Sequence, residues 1–211
     1  AYMGSHGVVF FDGNPPEFNS SYYCFYGCSN LVSAVLPSSI TYIGQTAFFG
    51  CSNLVSVSIP STMTGIGEYA FDQCTSLQNI KLPDGLNSIG LFAFHSSGLQ
   101  SITIPSRVNT IPEHAFDNCQ ALRSVTFLGT IGNIGSYAFI DCYNLSEIFY
   151  LGDGTPDVGE MSFYSCPATI YVKDVAGHGS WGDRKVLSWR SVQGDGSAAS
   201  PLEIGNYQQL Y

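Results

Sequence analysis

The chain is 211 residues long, 45% apolar and only 11% charged, with a net charge of −9. Disordered chains show the opposite balance, and the seven Lys and Arg are scattered, without the positive clusters that nucleic acid or anionic lipid requires. No apolar run approaches the roughly 20 residues of a membrane span, so neither nucleic-acid binding nor membrane insertion is expected of this chain.

In chain order, residues 1–24 read as a partial first coil or cap, with some of Ala1–His6 a remnant of cloning. Ala1–His6 shows no basic-then-apolar leader, which does not place the protein in the cytoplasm. Phe11-Asp-Gly-Asn-Pro-Pro-Glu-Phe18, leading to Cys24-Phe25, echoes Leu151-Gly-Asp-Gly-Thr-Pro-Asp157, leading to Ser162-Phe163. From Phe25 a repeat takes over. Its anchoring phenylalanines are Phe25, Phe48, Phe71, Phe94, Phe116, Phe139 and Phe163, spaced 23, 23, 23, 22, 23 and 24 residues apart. Residues 25–172 therefore divide into six repeats of about 23 residues and a shortened seventh.

Each unit reads F-x-x-C-x-x-L-x-x-V-x-I-P, then a hydrophobic residue, then I-G-x-x-A-F. Leu54-x-x-Val57-x-Ile59 is the L-x-x-L-x-L core of a leucine-rich repeat. Alternation predicts a short strand with Val57 and Ile59 inward and Ser56 and Ser58 outward. Pro60 and its equivalents Pro37, Pro83 and Pro105 cannot donate to a ladder, so the strand should end there. The chain then crosses the other side, where Met63, Ile66, Ala70 and Phe71 return inward. A single coil buries about six apolar side chains, roughly 10–15 kcal/mol gross, against backbone entropy of roughly 1–2 kcal/mol per residue. It cannot fold alone, so the units must stack. The expected fold is a leucine-rich-repeat solenoid, a short horseshoe. It should carry a parallel sheet on one face and turns, short strands or 3-10/helical turns on the other.

The I-G dipeptide repeats Gly44, Gly67, Gly90, Gly135 and Gly159, but the fourth unit has Pro112 there. Proline holds φ near −65°, so close approach between coils explains the glycines better than a left-handed turn. Six of the seven cysteines, Cys28, Cys51, Cys74, Cys119, Cys142 and Cys166, share one column, with Ser97 in the fourth unit. A column that accepts serine reads as a file of small, buried, reduced side chains rather than disulfides. Cys24, four residues before Cys28, leaves a local pair open. Beyond the repeats, residues 173–193, with Trp181 and Trp189, suit a C-terminal cap. Residues 194–211 read as a linker or the start of a truncated following module.

The signature in Ile66-Gly67-Glu-Tyr-Ala70-Phe71-Asp-Gln-Cys74-Thr-Ser-Leu77 resembles the BspA-like leucine-rich repeats of bacterial surface antigens, over about residues 20–172. The resemblance implies a secreted or cell-surface protein that binds host matrix proteins or other cells. It names no ligand, because the motif is scaffold.

No catalytic, cofactor or metal site is expected, and an enzyme is not. His95 and His114 fall in different columns with no recurring Ser or Cys nucleophile beside them. Asp153 and Asp157 resemble a calcium loop in composition but lack its ligand spacing. Asn19-Ser-Ser and Asn144-Leu-Ser match glycosylation sequons. The outward strand positions begin with Ser33, Val35, Ser56 and Ser58, and the candidate ligand face is their continuation, Asn79, Lys81, Ser101, Thr103, Ser124, Thr126, Glu147, Phe149, Thr169 and Tyr171. Phe149 and Tyr171 would form an aromatic anchor unless the tryptophan cap folds over them. The function expected is protein binding or adhesion to a host or cell-surface protein. The alternatives are a structural spacer and a non-catalytic module attached to a glycan-acting or hydrolytic domain.

Overall fold

The computed structural model describes residues 2–3, 8–10, 24–173 and 177–188, with side chains from Cys24 onward. The Asn19 sequon, the Phe11–Phe18 segment, Trp189 and residues 194–211 lie outside the described residues. The chain is a succession of very short strands separated by turns. They are β1 (Tyr2–Met3), β2 (Val8–Phe10), β3 (Ser33–Val35), β4 (Tyr42–Ile43), β5 (Ser56–Ser58), β6 (Gly65–Ile66), β7 (Ser88–Ile89), β8 (Ser101–Ile104), β9 (Thr110–Ile111), β10 (Ser124–Phe127), β11 (Asn133–Ile134), β12 (Glu147–Tyr150), β13 (Asp157–Val158), β14 (Thr169–Val172) and β15 (Lys185–Ser188). All pair in parallel with their equivalents in neighbouring coils, except the antiparallel β1–β2. This is a parallel-strand leucine-rich-repeat solenoid.

The leucine, valine and isoleucine columns face inward as the alternation predicts. Leu54, Ile66, Ala70, Phe71 and Met63 are buried to within 1% of exposure. The phenylalanines form one file through the molecule, ring centroids 5.1–5.5 Å apart and nearly parallel. The I-G glycines are needed for close approach. A Cβ on Gly67 would lie 2.7 Å from the Gln45 nitrogen, and one on Gly90 2.4 Å from that of Glu68. Neither has a positive φ, in keeping with Pro112 in the same column.

The turn side carries a third ladder that the motif does not announce. Alternate amides, such as those of Thr46, Phe48 and Gly50, donate to Glu68, Ala70 and Asp72 of the next coil at 2.8 Å. The amides between them close tight turns, as Phe49 does to Thr46. This alternation places residues such as Tyr69, Gln73, His114 and Asn118 in the left-handed region.

One departure from the repeat changes the sheet. Asn79 and Lys81, expected as outward strand positions, are not in a strand, and the sheet that should run through them is split. The order β1-β2-β3-β5 ends before them and β15-β14-β12-β10-β8 begins after them. The opposite ladder breaks at the same level, into β4-β6-β7 and β13-β11-β9. The break lies on the N-terminal side of the one coil of 22 residues. Its Ser97-Gly98-Leu99 has lost a residue relative to Cys74-Thr-Ser-Leu77, so this corner is cut short. A Cβ on Gly98 would stand 2.1 Å from the Thr75 carbonyl oxygen. Pulled in at this corner, the fourth coil forms no ladder with the third on either face. Asn and Lys, weak strand formers, do little to restore it. Only the turn ladder crosses without interruption, through bonds such as Phe71 N to Ala93 O at 2.8 Å.

Candidate functional site

From β8 to β15 the strand register fixes two rows on the open face of the sheet. One runs Ser101, Ser124, Glu147, Thr169, Lys185, and the other Thr103, Thr126, Phe149, Tyr171, Leu187. Small hydroxyl residues thus give way to an apolar end. Phe149 and Tyr171 stack with centroids 5.3 Å apart and ring planes 19° from parallel. Phe149 is 8% exposed because its neighbours in the row cover it, while Tyr171 and Leu187 are half-buried. Burial, and secondarily the carboxylate of Glu147, push the Tyr171 phenol above its ordinary value, so it stays a hydroxyl at neutral pH. Leu187 was missed in the sequence because the period breaks after Val172. The alternation in Lys185-Val-Leu-Ser188 was its one signal.

The cap does not hide these rings with Trp181. That side chain is fully buried on the inner side of the sheet, 4.9 Å from the ring of Tyr150 and 6.3 Å from that of Phe127. It closes the end of the core, where the Tyr150 hydroxyl donates to the Asp153 carbonyl at 2.9 Å.

The cysteine column forms a file. Cys51, Cys74, Cys119 and Cys142 each donate to the carbonyl of the phenylalanine one coil back, at 3.0–3.2 Å. Ser97 Oγ takes the file's place in its coil, 3.3 Å from Cys119 Sγ. Neither Cys28 nor any of the five cysteines that follow it forms a disulfide. Burial pushes Cys51 and Cys119 up to about 12 and Cys166 to about 11.

On the turn side, Ser96 Oγ, a serine that does not recur in the next coils, lies 3.2 Å from His95 Nε2, and Nδ1 meets Asp72 Oδ1 at 2.7 Å. The sequence hid this because Asp72 comes from the preceding coil, brought alongside by the turn ladder. Asp72 is buried, and its hydrogen bond raises the His95 pKa despite the opposing effect of burial. The order Ser–His–Asp is that of a hydrolase, but an oxyanion needs free backbone donors. The surrounding amides of Ser96, Ser97 and Asn118 are already bonded, to Asp117, Phe94 and Ile140. The Asn118 side-chain Nδ2 donates to Ser96 Oγ at 2.8 Å, so the group works as a polar clasp across three coils. His114 pairs with Asp117 at 2.9 Å and stacks between Phe92 and Tyr137 at 4.4 and 4.9 Å. Among the described residues no three His, Cys, Asp or Glu come together as a metal site, and no helix is long and apolar enough to cross a membrane.

A solenoid of stacked parallel strands built on the L-x-x-L-x-L core is of the leucine-rich-repeat class, which is typically a non-catalytic binding scaffold. Within it, residues 19–146, more than half of the chain, match six copies of the BspA type leucine rich repeat region. The chain belongs to this family. It is similar to the leucine-rich-repeat protein of T. pallidum, with 35% identity, 68% of this chain and 67% of that one covered, and a TM-score of 0.65. A leucine-rich-repeat protein from Eubacterium ventriosum is 26% identical over 64% of this chain and 37% of its own, with a TM-score of 0.58. One from Bacteroides ovatus shares the fold at 22% identity, covering 79% and 63%, with a TM-score of 0.53. The chain thus spans well under two thirds of the E. ventriosum protein and slightly under two thirds of the B. ovatus one. No curated protein matches the sequence.

Proposed function

We propose that this solenoid is a non-catalytic, protein-binding module of a secreted or cell-surface protein, used in adhesion to a host or neighbouring-cell protein. The C-terminal end of the open sheet would be its anchor. The observation that carries this reading is the run Phe149, Tyr171, Leu187 in one row of the sheet, stacked on an otherwise hydroxyl-lined face. Phe149, beside Tyr171 in the same row, holds its ring in place by stacking. Tyr171 and Leu187 supply the contact area, and Glu147 and Lys185 border it with opposite charges. Aromatic anchors surrounded by small polar residues are the usual make-up of interface hot spots. Membership of the BspA-type family supports the surface location.

The test is binding to a panel of purified extracellular-matrix proteins by biolayer interferometry. Tyr171→Ser combined with Leu187→Ser should weaken any measured affinity by at least tenfold, about 1.4 kcal/mol. Unchanged affinity in a folded double variant removes this end of the sheet from the interface. No binding across the panel favours a structural spacer.

A further inference from the structure

The split in the sheet leaves β8 as an edge strand in the middle of the solenoid. Its one ladder partner is β10. On its other side lie Asn79–Leu82, tied to it at the entrance through Gln100 N to Gln78 O at 2.9 Å and by no ladder beyond. The direction of the open groups follows from the pairing. Leu128 N donates to Ile104 O at 3.0 Å, so the Ile104 carbonyl points toward β10. Successive residues of a parallel strand aim their backbone groups to alternate sides. The N–H and C=O of Ser101 and Thr103 therefore point away from β10, into the split. The split is a cleft of about 500 Å³, lined by Ile80, Leu82, Ile102, Thr103, Pro105 and Leu128 among others. Ile80 and Leu82 reach its floor and are 8% and 7% exposed, close to the 7% of Val57 in the regularly paired β5.

We propose that this cleft takes up an extended segment of another protein as an added strand along the free edge of β8, with an apolar side chain set against Ile80, Leu82 and Ile102. The occupant is set by what the cleft offers. A row of alternating backbone donors and acceptors at strand spacing is complemented by another extended backbone. Glycans, lipids and nucleotides carry no such repeat. A second copy of the solenoid is too bulky, because the edge is recessed beside residues 79–82 rather than displayed at the end of the molecule. That recess, together with Lys81 at the rim and Pro105 after the strand, also restrains indiscriminate edge-to-edge pairing. Lys81 and Asp84 at the rim oppose each other in charge, which leaves main-chain bonding and the apolar floor to select the segment. The site is separate from the Tyr171 end of the sheet and does not depend on that reading.

Amide hydrogen exchange tests the free edge first. Ser101 and Thr103 should exchange at least about tenfold faster than their register partners Ser124 and Thr126. Equal protection means the cleft is closed and overturns the proposal. The probe for occupancy is acetyl-Val-Ser-Val-Ser-Ile-Pro-amide, which copies Val55–Pro60, a segment that forms a regular coil strand here. At millimolar concentration it should slow exchange at Ser101 and Thr103. A copy N-methylated at alternate residues keeps the side chains but loses the donors, and it should bind at least about tenfold more weakly. Thr103→Pro, which removes an amide on the open side, should abolish binding, while Tyr171→Ser should leave it unchanged. If Thr103→Pro does not fold, the N-methylated peptide decides. Equal binding of the methylated peptide, no binding of the plain one, or loss of binding on Tyr171→Ser would each overturn the proposal.

Discussion

Among the described residues, eleven with side chains hold a left-handed backbone, in two columns of the turn. Such a conformation costs an ordinary residue about 1–2 kcal/mol, yet Tyr69, Phe92, His114 and Tyr137 all adopt it in one column. The compensation is the turn ladder, in which each of their amides bonds to the next coil at 2.9–3.4 Å. The cysteines are set by the same local demand, for a small donor facing a carbonyl one coil back. Thiol titration under denaturing, non-reducing conditions should therefore find at least five of the seven cysteines free, and one or none would refute the reduced file. In the native state Cys51, Cys119 and Cys166 should resist thiol reagents at pH 8, because thiols at about 11–12 hold almost no thiolate.

His95 makes a second prediction at this scale. Its pKa is raised mainly by the hydrogen bond to Asp72, with the charges of Asp72 and Asp117 adding to it. A pKa raised in the folded state stabilises the protein fully below the unfolded value, near 6.5. That contribution is lost as pH rises through the folded value. The stability advantage of the natural protein over His95→Gln should thus shrink between pH 6 and pH 8. NMR titration of the ring should place its midpoint above 6.5. A midpoint at or below that would remove the clasp.

At the scale of elements, no strand here could persist alone. The strands are two to four residues long, and each is held by its neighbours in adjacent coils and by the files of side chains between them. The phenylalanine file is the largest of these, and Phe71 sits in it between Phe48 and Phe94 at 5.2 and 5.4 Å. Phe71→Ala removes a fully buried ring with partners on both faces and should cost about 3–5 kcal/mol in denaturant unfolding. A loss below about 1 kcal/mol would mean that the neighbouring coils close over the gap. The aromatic file Tyr69, Phe92, His114, Tyr137 on the turn is half-buried. It was not legible as a file, because the column mixes Tyr, Phe and His, with Thr46 and Met161 at its ends, and only stacking brings the rings together.

Over the whole molecule, stability in a solenoid is close to a sum of coils and nearest-neighbour contacts. A break between two coils therefore divides the structure without unfolding it. Here the third and fourth coils meet through the turn ladder, the phenylalanine file and the Asp72–His95 clasp, while both strand ladders stop. The clasp thus lies at the coil junction that has lost most of its backbone bonding.

The repeat length, the inward columns, the role of the I-G glycines and the family all follow from the sequence by itself. Each is a property of one coil written out several times, and repetition makes the pattern unmistakable. What only the tertiary structure decided are the relations between coils. A missing residue at Ser97-Gly98-Leu99 is visible in the spacing of 22. That it would part the sheet beside Asn79 and Lys81 depends on how the shortened corner seats against Thr75. Phe149 was legible as outward-facing but not as 8% exposed, since its cover comes from residues in other coils. The side of the sheet on which Trp181 lies follows from the return path of the chain after Val172, where the repeat no longer dictates the register.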